Sequence, residues 1–139
     1  MVHVICFVSK ICKSVSKEEQ DHILEAAKQY NNRNKISGVL LCSSGFFFQI
    51  LEGEETIVKD LFYNKILKDS RHKDIYTVLQ KSTRITFFKG YYSKFNCSDH
   101  PDLKICQLKK YIEKHKIQDN PDRFRRLLIP HLATALTNL

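Results

Sequence analysis

Apolar residues in this chain come in short runs, and the clearest pair lies between Ile36 and Gly53. Ile36–Cys42 and Phe46–Leu51 read as two strands folded back through Ser43-Ser44-Gly45, the composition of a tight hairpin turn. Within the second run, Gln49 shares a pleat face with Phe47 and Leu51. A carboxamide in such a layer brings two donors and two acceptor lone pairs, so it needs a partner. Backbone, water or a ligand with a polar edge would each serve.

The same reading extends along the chain. Val2–Ser9 is β-branched and apolar on both pleat faces, with Ile5 and Phe7 on one and Val4, Cys6 and Val8 on the other. It is therefore expected at the centre of its sheet. Ser16 followed by Glu19 forms a capping box, and Ile23, Leu24, Ala27 and Tyr30 continue at helical spacing until the cluster Asn31-Asn32-Arg33-Asn34. Glu54 and Glu55 suit the start of a second helix, with Ile57, Val58, Leu61, Phe62, Lys65 and Ile66 on its inner side to about Asp69. Lys65 is the charged exception in that stripe, and an apolar stem with a solvated head accounts for it. A polar corner, Asp69–His72, precedes a strand over Ile75–Leu79, and a last short strand is expected within Phe87–Tyr92.

The order β-α-β-β-α-β with an extra strand predicts an α+β, ferredoxin-like sheet with two helices on one face. The opposite face (Val4, Cys6, Val8, Phe46, Phe48, Ile50) then needs cover. Two C-terminal helices are expected there: one with Ile105, Leu108, Tyr111 and Ile112 on one side, and one beginning at Asn120-Pro121. The apolar stripe Phe124, Leu127, Leu128, Leu132, Ala135, Leu136 and Leu139 exceeds what one small sheet needs, so part of it is expected to pair with another chain, and Pro130 should kink or split its helix. Residues 1–98 are thus expected to form the sheet domain and 99–139 a helical cap or oligomerisation segment of the same single domain.

Composition adds mostly exclusions. With 139 residues, 42% hydrophobic and 27% charged, the chain is an ordinary single globular domain. No apolar run approaches the roughly 20 residues that span a bilayer, and the N-terminus lacks the shape of a signal peptide, so a cytoplasmic protein is expected. The five cysteines are irregularly spaced, with neither a C-x-x-C nor zinc-ligand spacing, which suits reduced structural thiols and no metal. A formal charge of +8 would suit nucleic acid, yet Lys and Arg are spread along the chain and mostly occupy helical faces opposite apolar ones. The pattern argues against a nucleic-acid partner. There is no Gly-rich phosphate loop, no G-x-S-x-G and no H-E-x-x-H. His22 and His115 fall on helices, His72 alone in the polar corner, and Glu52 and Asp69 do not make an acid–base pair by spacing. No catalytic residue is expected.

Three segments, NNRNKISGVLL, GFFFQILEG and KILKDSRH, taken in order over Asn31–His72, resemble the BLUF family of flavin-binding blue-light sensors. The likeness covers roughly residues 3–95, and within the family it points to the sensor domains of bacterial photoactivated adenylyl cyclases. The resemblance implies FAD held between the two helices on the sheet face that bears Gln49. Asn31 matches the asparagine that hydrogen-bonds the isoalloxazine edge, and Gln49 the glutamine that switches its hydrogen bonds after light absorption. Lys65 falls where the family often has a basic residue or histidine near the ring, and Asp69, Arg71 and His72 match the corner beside the flavin.

Two positions depart from the family pattern. Phe7 stands where the family has the first-strand tyrosine that gives an electron and a proton to the excited flavin and whose hydroxyl holds the glutamine. Tyr91-Tyr92-Ser93 stands where Trp-x-Met is frequent, so Ser93 replaces the methionine beside the glutamine, while Tyr91 or Tyr92 becomes a substitute donor at longer range. The expectation is an FAD-binding sensor with an altered or lost photocycle. The alternative is a flavin-free module acting through its C-terminal helices. Either would pass its output to a separate effector or through self-association, from the last sheet strand and those helices.

Overall fold

The computed structural model describes residues 1–43 and 45–93. Strand β1 (Val2–Ile11) leads to helix α1 (Lys17–Arg33), then to the hairpin β2 (Ser37–Ser43) and β3 (Phe46–Gly53). Helix α2 (Glu55–Asp60) continues as a π-helical turn (Leu61–Ile66), followed by β4 (His72–Thr83) and β5 (Tyr91–Tyr92). The sheet order is β4-β1-β3-β2-β5, antiparallel except that β5 runs parallel to β2. This is the expected ferredoxin-like arrangement with one added strand.

Local chemistry accounts for the element ends. The Ser16 hydroxyl accepts from the Glu19 N–H at 3.1 Å, opening α1 where the capping pattern places it. At the other end Asn34 Nδ2 donates to the Tyr30 carbonyl at 2.8 Å, closing the helix through its own side chain. Both oxygens of the Glu54 carboxylate cap α2, on the N–H groups of Thr56 and Ile57. Gly38 cannot be replaced cheaply: at φ 139° a Cβ would lie 1.9 Å from the Ile50 carbonyl oxygen.

The period-2 alternation sorts side chains between the faces as read from the sequence. Ile5, Phe7, Leu40, Phe47 and Leu51 pack with Leu24 of α1, Val58 of α2, and Leu61 and Phe62 of the π turn. Val4, Cys6, Val8, Val39, Leu41, Phe48 and Ile50 form the second layer with Phe88. Strand β1 is central, between β4 and β3. The helices expected from Leu103 onward lie outside the described residues.

Three elements differ from expectation. The second helix is α-helical only to Asp60; beyond it the Leu67 N–H reaches the Phe62 carbonyl at 2.9 Å, an i→i+5 bond. Strand β4 is longer than Ile75–Leu79 because pairing with β1 carries its polar ends into the ladder. The last strand is confined to Tyr91–Tyr92, since Phe87 and Phe88 give their N–H groups elsewhere. Glu52, 1% exposed, takes them: its carboxylate lies 3.0 Å from the Phe87 N–H and 3.0 Å from that of Phe88, with the Ser37 hydroxyl at 3.1 Å. A buried carboxylate thus replaces the missing ladder and holds the segment leading into β5.

Each hydrogen bond to a charged acceptor contributes ~1.5–3 kcal/mol, and stranded donors are unfavourable, so Glu52→Ala should lower unfolding stability by roughly 3 kcal/mol. Urea unfolding checks this, with faster amide exchange at Phe87 and Phe88; an unchanged midpoint would contradict the anchoring role.

Candidate functional site

On the helix-bearing face, α1 and the π turn stand apart over β1, β2 and β3, leaving a cavity of about 240 Å³. Phe7, Leu40 and Phe47 form its floor, Ile23, Ala26 and Ala27 one wall, and Leu61 and Ile66 the other. The i→i+5 turn matters here: Leu61, Lys65 and Ile66 are spaced four and five apart, which a π turn keeps on one side. Polar groups enter from three directions: Gln49 from the floor, Asn31 from the end of α1, and Ser9 with the Asp69–His72 corner from the far side. All seven residues expected around a cofactor, namely Phe7, Asn31, Gln49, Lys65, Asp69, Arg71 and His72, line this one cavity.

Gln49 sits directly opposite Phe7 on β1 and Leu40 on β2. Neither can hydrogen-bond it through a side chain. Its Nε2 instead donates to the phenol oxygen of Tyr91 on β5, with the Asn31 carboxamide near enough to act on that phenol. Tyr91 does not line the cavity; it stands one hydrogen bond behind Gln49 and is 2% exposed. Burial pushes its phenol above the ordinary tyrosine range, with the two amides pulling weakly the other way, so it stays protonated at physiological pH. Asn31 Oδ1 is buried and has no hydrogen-bond partner. With Gln49 and Asn31 both lining an apolar cavity, the site offers carboxamides to a ligand with a polar edge.

At the polar corner, His72 bridges two elements. Its Nε2 lies 2.6 Å from the Ile66 carbonyl, which can only accept, so Nε2 carries a proton, and Nδ1 lies 2.7 Å from the Ser9 hydroxyl. Phe47 meets the His72 ring edge-on, with centroids 6.3 Å apart. Asp69 grips Arg71 through Nε at 2.9 Å and through the backbone N–H at 3.0 Å. The guanidinium holds the Asp69 carboxyl below the usual aspartate range. Lys65 donates to the Tyr30 hydroxyl at 2.7 Å and lies 4.4 Å from that ring's centroid, so its exposed head is tethered at the cavity mouth.

A family model described as sensors of blue-light using FAD matches residues 2–94. The chain belongs to the BLUF family. It is 34% identical over 74 residues to the photoactivated adenylate cyclase subunit beta of Euglena gracilis, covering 53% of this chain and 8% of that subunit. It is also 30% identical over 79 residues to the blue light- and temperature-regulated antirepressor BluF of Escherichia coli K12, covering 57% and 19% of the two chains. The chain thus spans only a small part of the length of these relatives. Among solved structures, a bacterial light-regulated adenylyl cyclase superposes with a TM-score of 0.63 at 29% identity, covering 94% of this chain and 40% of that one. The BlsA ground state superposes at 0.55 with 37% identity over 63% of this chain and 59% of that one.

Within this BLUF domain, two residues escaped sequence reading as parts of the site. Asn32 pins β5: its Nδ2 donates to the Tyr91 carbonyl at 3.2 Å and its Oδ1 accepts from the Tyr91 N–H at 2.9 Å. The Asn31-Asn32 pair looks like a helix exit in sequence, and nothing in its spacing reveals that Asn31 lines the cavity while Asn32 holds the Tyr91 backbone. Ser9, exposed in no pattern, is visible only through His72. Ser93 gives its hydroxyl to the Leu24 carbonyl of α1 at 2.7 Å, and Tyr92 packs against Phe88 on the other sheet face. No helix among the described residues is long and apolar enough to cross a membrane.

Because the folded state lowers the Asp69 pKa, it binds that proton less tightly than the unfolded chain. The stabilisation from Asp69–Arg71 is present in full above about pH 4 and fades as pH falls through the lower folded value. Asp69→Asn should therefore destabilise the protein at pH 7, with the gap from wild type closing as pH drops toward about 2. Thermal melts across that range test it; a gap independent of pH would exclude the linkage.

Proposed function

We propose that this chain is an FAD-binding blue-light sensor whose photocycle is altered because Phe7 occupies the place of the photoactive tyrosine. The observation that carries the reading is the pair of carboxamides in the cavity wall, Gln49 and Asn31, with Asn31 Oδ1 buried and unpartnered. An apolar slot suits a flat aromatic ring system, and amides at one end suit a ring edge that both donates and accepts hydrogen bonds. Bound flavin would supply blue-light absorption and, once excited, a one-electron acceptor.

The chain's own residues then divide the work. Phe7, Leu40, Phe47 and Leu61 exclude water from the ring. Asn31 and Gln49 hold its polar edge, while Lys65, Asp69, Arg71 and His72 close the opposite end. Phe7 lies 5.2 Å from the Phe62 ring and directly opposite Gln49, so it packs where a phenol would hydrogen-bond. It has no O–H to give and is hard to oxidise. Tyr91, a hydrogen bond behind Gln49, is the phenol that reaches this amide, and it would supply an electron and a proton through the amide rather than across direct contact.

The matched domain is a sensor, and no residue of the cavity is assigned a catalytic role. A cytoplasmic setting and output to a separate effector or a second copy, through β5 and residues 99–139, complete the reading; the apolar stripe Phe124–Leu139 supports the last part. The alternative, a flavin-free interaction module, draws on Phe7 and on the engagement of Ser93 with α1.

Titration of the purified chain with FAD separates the two: a bound flavin's blue absorption band is expected, and its absence at saturating FAD would overturn the sensor reading. Phe7→Tyr, which puts a hydroxyl opposite Gln49 at a stability change within about 1 kcal/mol, should create or enlarge a light-induced red shift of that band. An unshifted band with flavin bound would mean that the cavity beyond Phe7 also blocks the response.

A further inference from the structure

His3, near the start of β1, is a buried titratable group with no part in the cavity. It is 6% exposed, shares a pleat face with Ile5 and Phe7, and stands in register with Gly53 of β3 and Ser82 of β4. Its Nε2 lies 3.1 Å from Gln80 Nε2 on β4, and the Tyr63 hydroxyl of the π turn donates to Gln80 Oε1 at 3.2 Å. A carboxamide nitrogen only donates, so His3 Nε2 accepts and the neutral ring keeps its proton on Nδ1. That Nδ1 is buried with no hydrogen-bond partner. Three residues from three elements thus form a directed relay, from Tyr63 through Gln80 into His3.

A second proton on the ring goes to Nε2, and an imidazolium has only donors. Gln80 must then turn Oε1 to His3 and Nε2 to Tyr63, whose hydroxyl changes from donor to acceptor. A hydroxyl serves in either sense, so the relay survives with every bond reversed. Facing His3 are Gly53 from β3, Ser82 and Gln80 from β4, and Glu55 and Lys59 from α2. Among the described residues the ionised groups acting on it are Glu55 and Lys59, bridged to each other at 2.6 Å. Burial and the Lys59 ammonium oppose a charge on the ring while Glu55 favours it, which holds the imidazole below the ordinary histidine range. We propose that His3, Gln80 and Tyr63 are a pH-operated joint between the β1–β4 ladder and the π turn: neutral His3 receives the relay, and protonated His3 drives it backwards. The π turn carries Leu61, Lys65 and Ile66 of the cavity wall, so the joint acts on that wall from outside the cavity. It needs no ligand and stands independently of the flavin reading.

Nitrogen and proton NMR of the full chain without ligand, followed from about pH 8 to about pH 5, tests this. At the upper end the His3 ring should show the Nδ1–H tautomer. On acidification it should titrate below about 6.5, and the Gln80 NH₂ and Tyr63 ring resonances should move with the same midpoint. In His3→Gln those two signals should stay flat over the range. In Gln80→Leu, His3 should still titrate while Tyr63 no longer follows it. The folded state binds this proton less tightly than the unfolded chain, so the stability due to neutral His3 is complete above about pH 6.5 and is lost as pH falls. Relative to His3→Gln, the wild-type unfolding constant should therefore rise by up to about tenfold per pH unit until the folded ring is itself protonated. If His3→Gln does not fold, the wild-type titration and Gln80→Leu, at an exposed position, carry the test. An Nε2–H tautomer in the neutral ring, a midpoint at or above about 6.5, or Tyr63 resonances that ignore the His3 midpoint would each overturn the proposal.

Discussion

A carboxamide on the apolar face of a sheet is a constraint that its surroundings must answer, and Gln49 sets that constraint for this protein. It lies between Phe47 and Leu51 with Phe7 and Leu40 across the two ladders, so no neighbour in register can hydrogen-bond its side chain. The answer comes from the sheet edge. Tyr91 reaches it from β5, and β5 is a two-residue strand that exists because three other groups hold its approach: Asn32 on the Tyr91 backbone, Gly38 on Gly90, and Glu52 on Phe87 and Phe88. Together they hold in place the segment that carries the phenol to Gln49.

The Glu52 carboxylate shows how tertiary demands override local propensity. Phe87-Phe88 has strong strand character by composition. It is bent instead, since its N–H groups find a charged acceptor in a buried position, and a charge-assisted bond there outweighs a neutral ladder bond. The π turn at Leu61–Ile66 is the corresponding adjustment on the helix side, bringing an apolar pair and the Lys65 stem to the same wall of the cavity. Both irregularities border the site, as departures from ideal geometry tend to.

The site itself was unevenly legible. Gln49 stood out because one polar residue broke a clean alternation. Asp69, Arg71 and His72 stood out as a polar corner, and the resemblance to the BLUF family joined them to Asn31 and Phe7. What no pattern could supply was the side on which Gln49 finds its partner. Tyr91 lies 42 residues away along the chain, and its hydrogen bond to Gln49 depends on strand order and on the tilt of an edge strand. Asn32 and Ser9 were silent for the same reason. Their partners, Tyr91 and His72, come from distant segments, and single polar residues at a helix end or in a strand carry no periodic signal.

The elements and their faces are readable from the residues in order. The period-2 and helical repeats of apolar residues follow from the burial of one side of each element, and burial is driven by the same hydrophobic effect wherever the element docks. The chemistry present is readable there too, including the missing hydroxyl at Phe7. How that chemistry is connected depends on the folded arrangement: which phenol meets Gln49, which acceptor is left without a partner, and which backbone groups a buried carboxylate removes from a strand. Hydrogen bonds are short-ranged and directional, so they are settled by the final placement of segments and not by the pattern that drives those segments together.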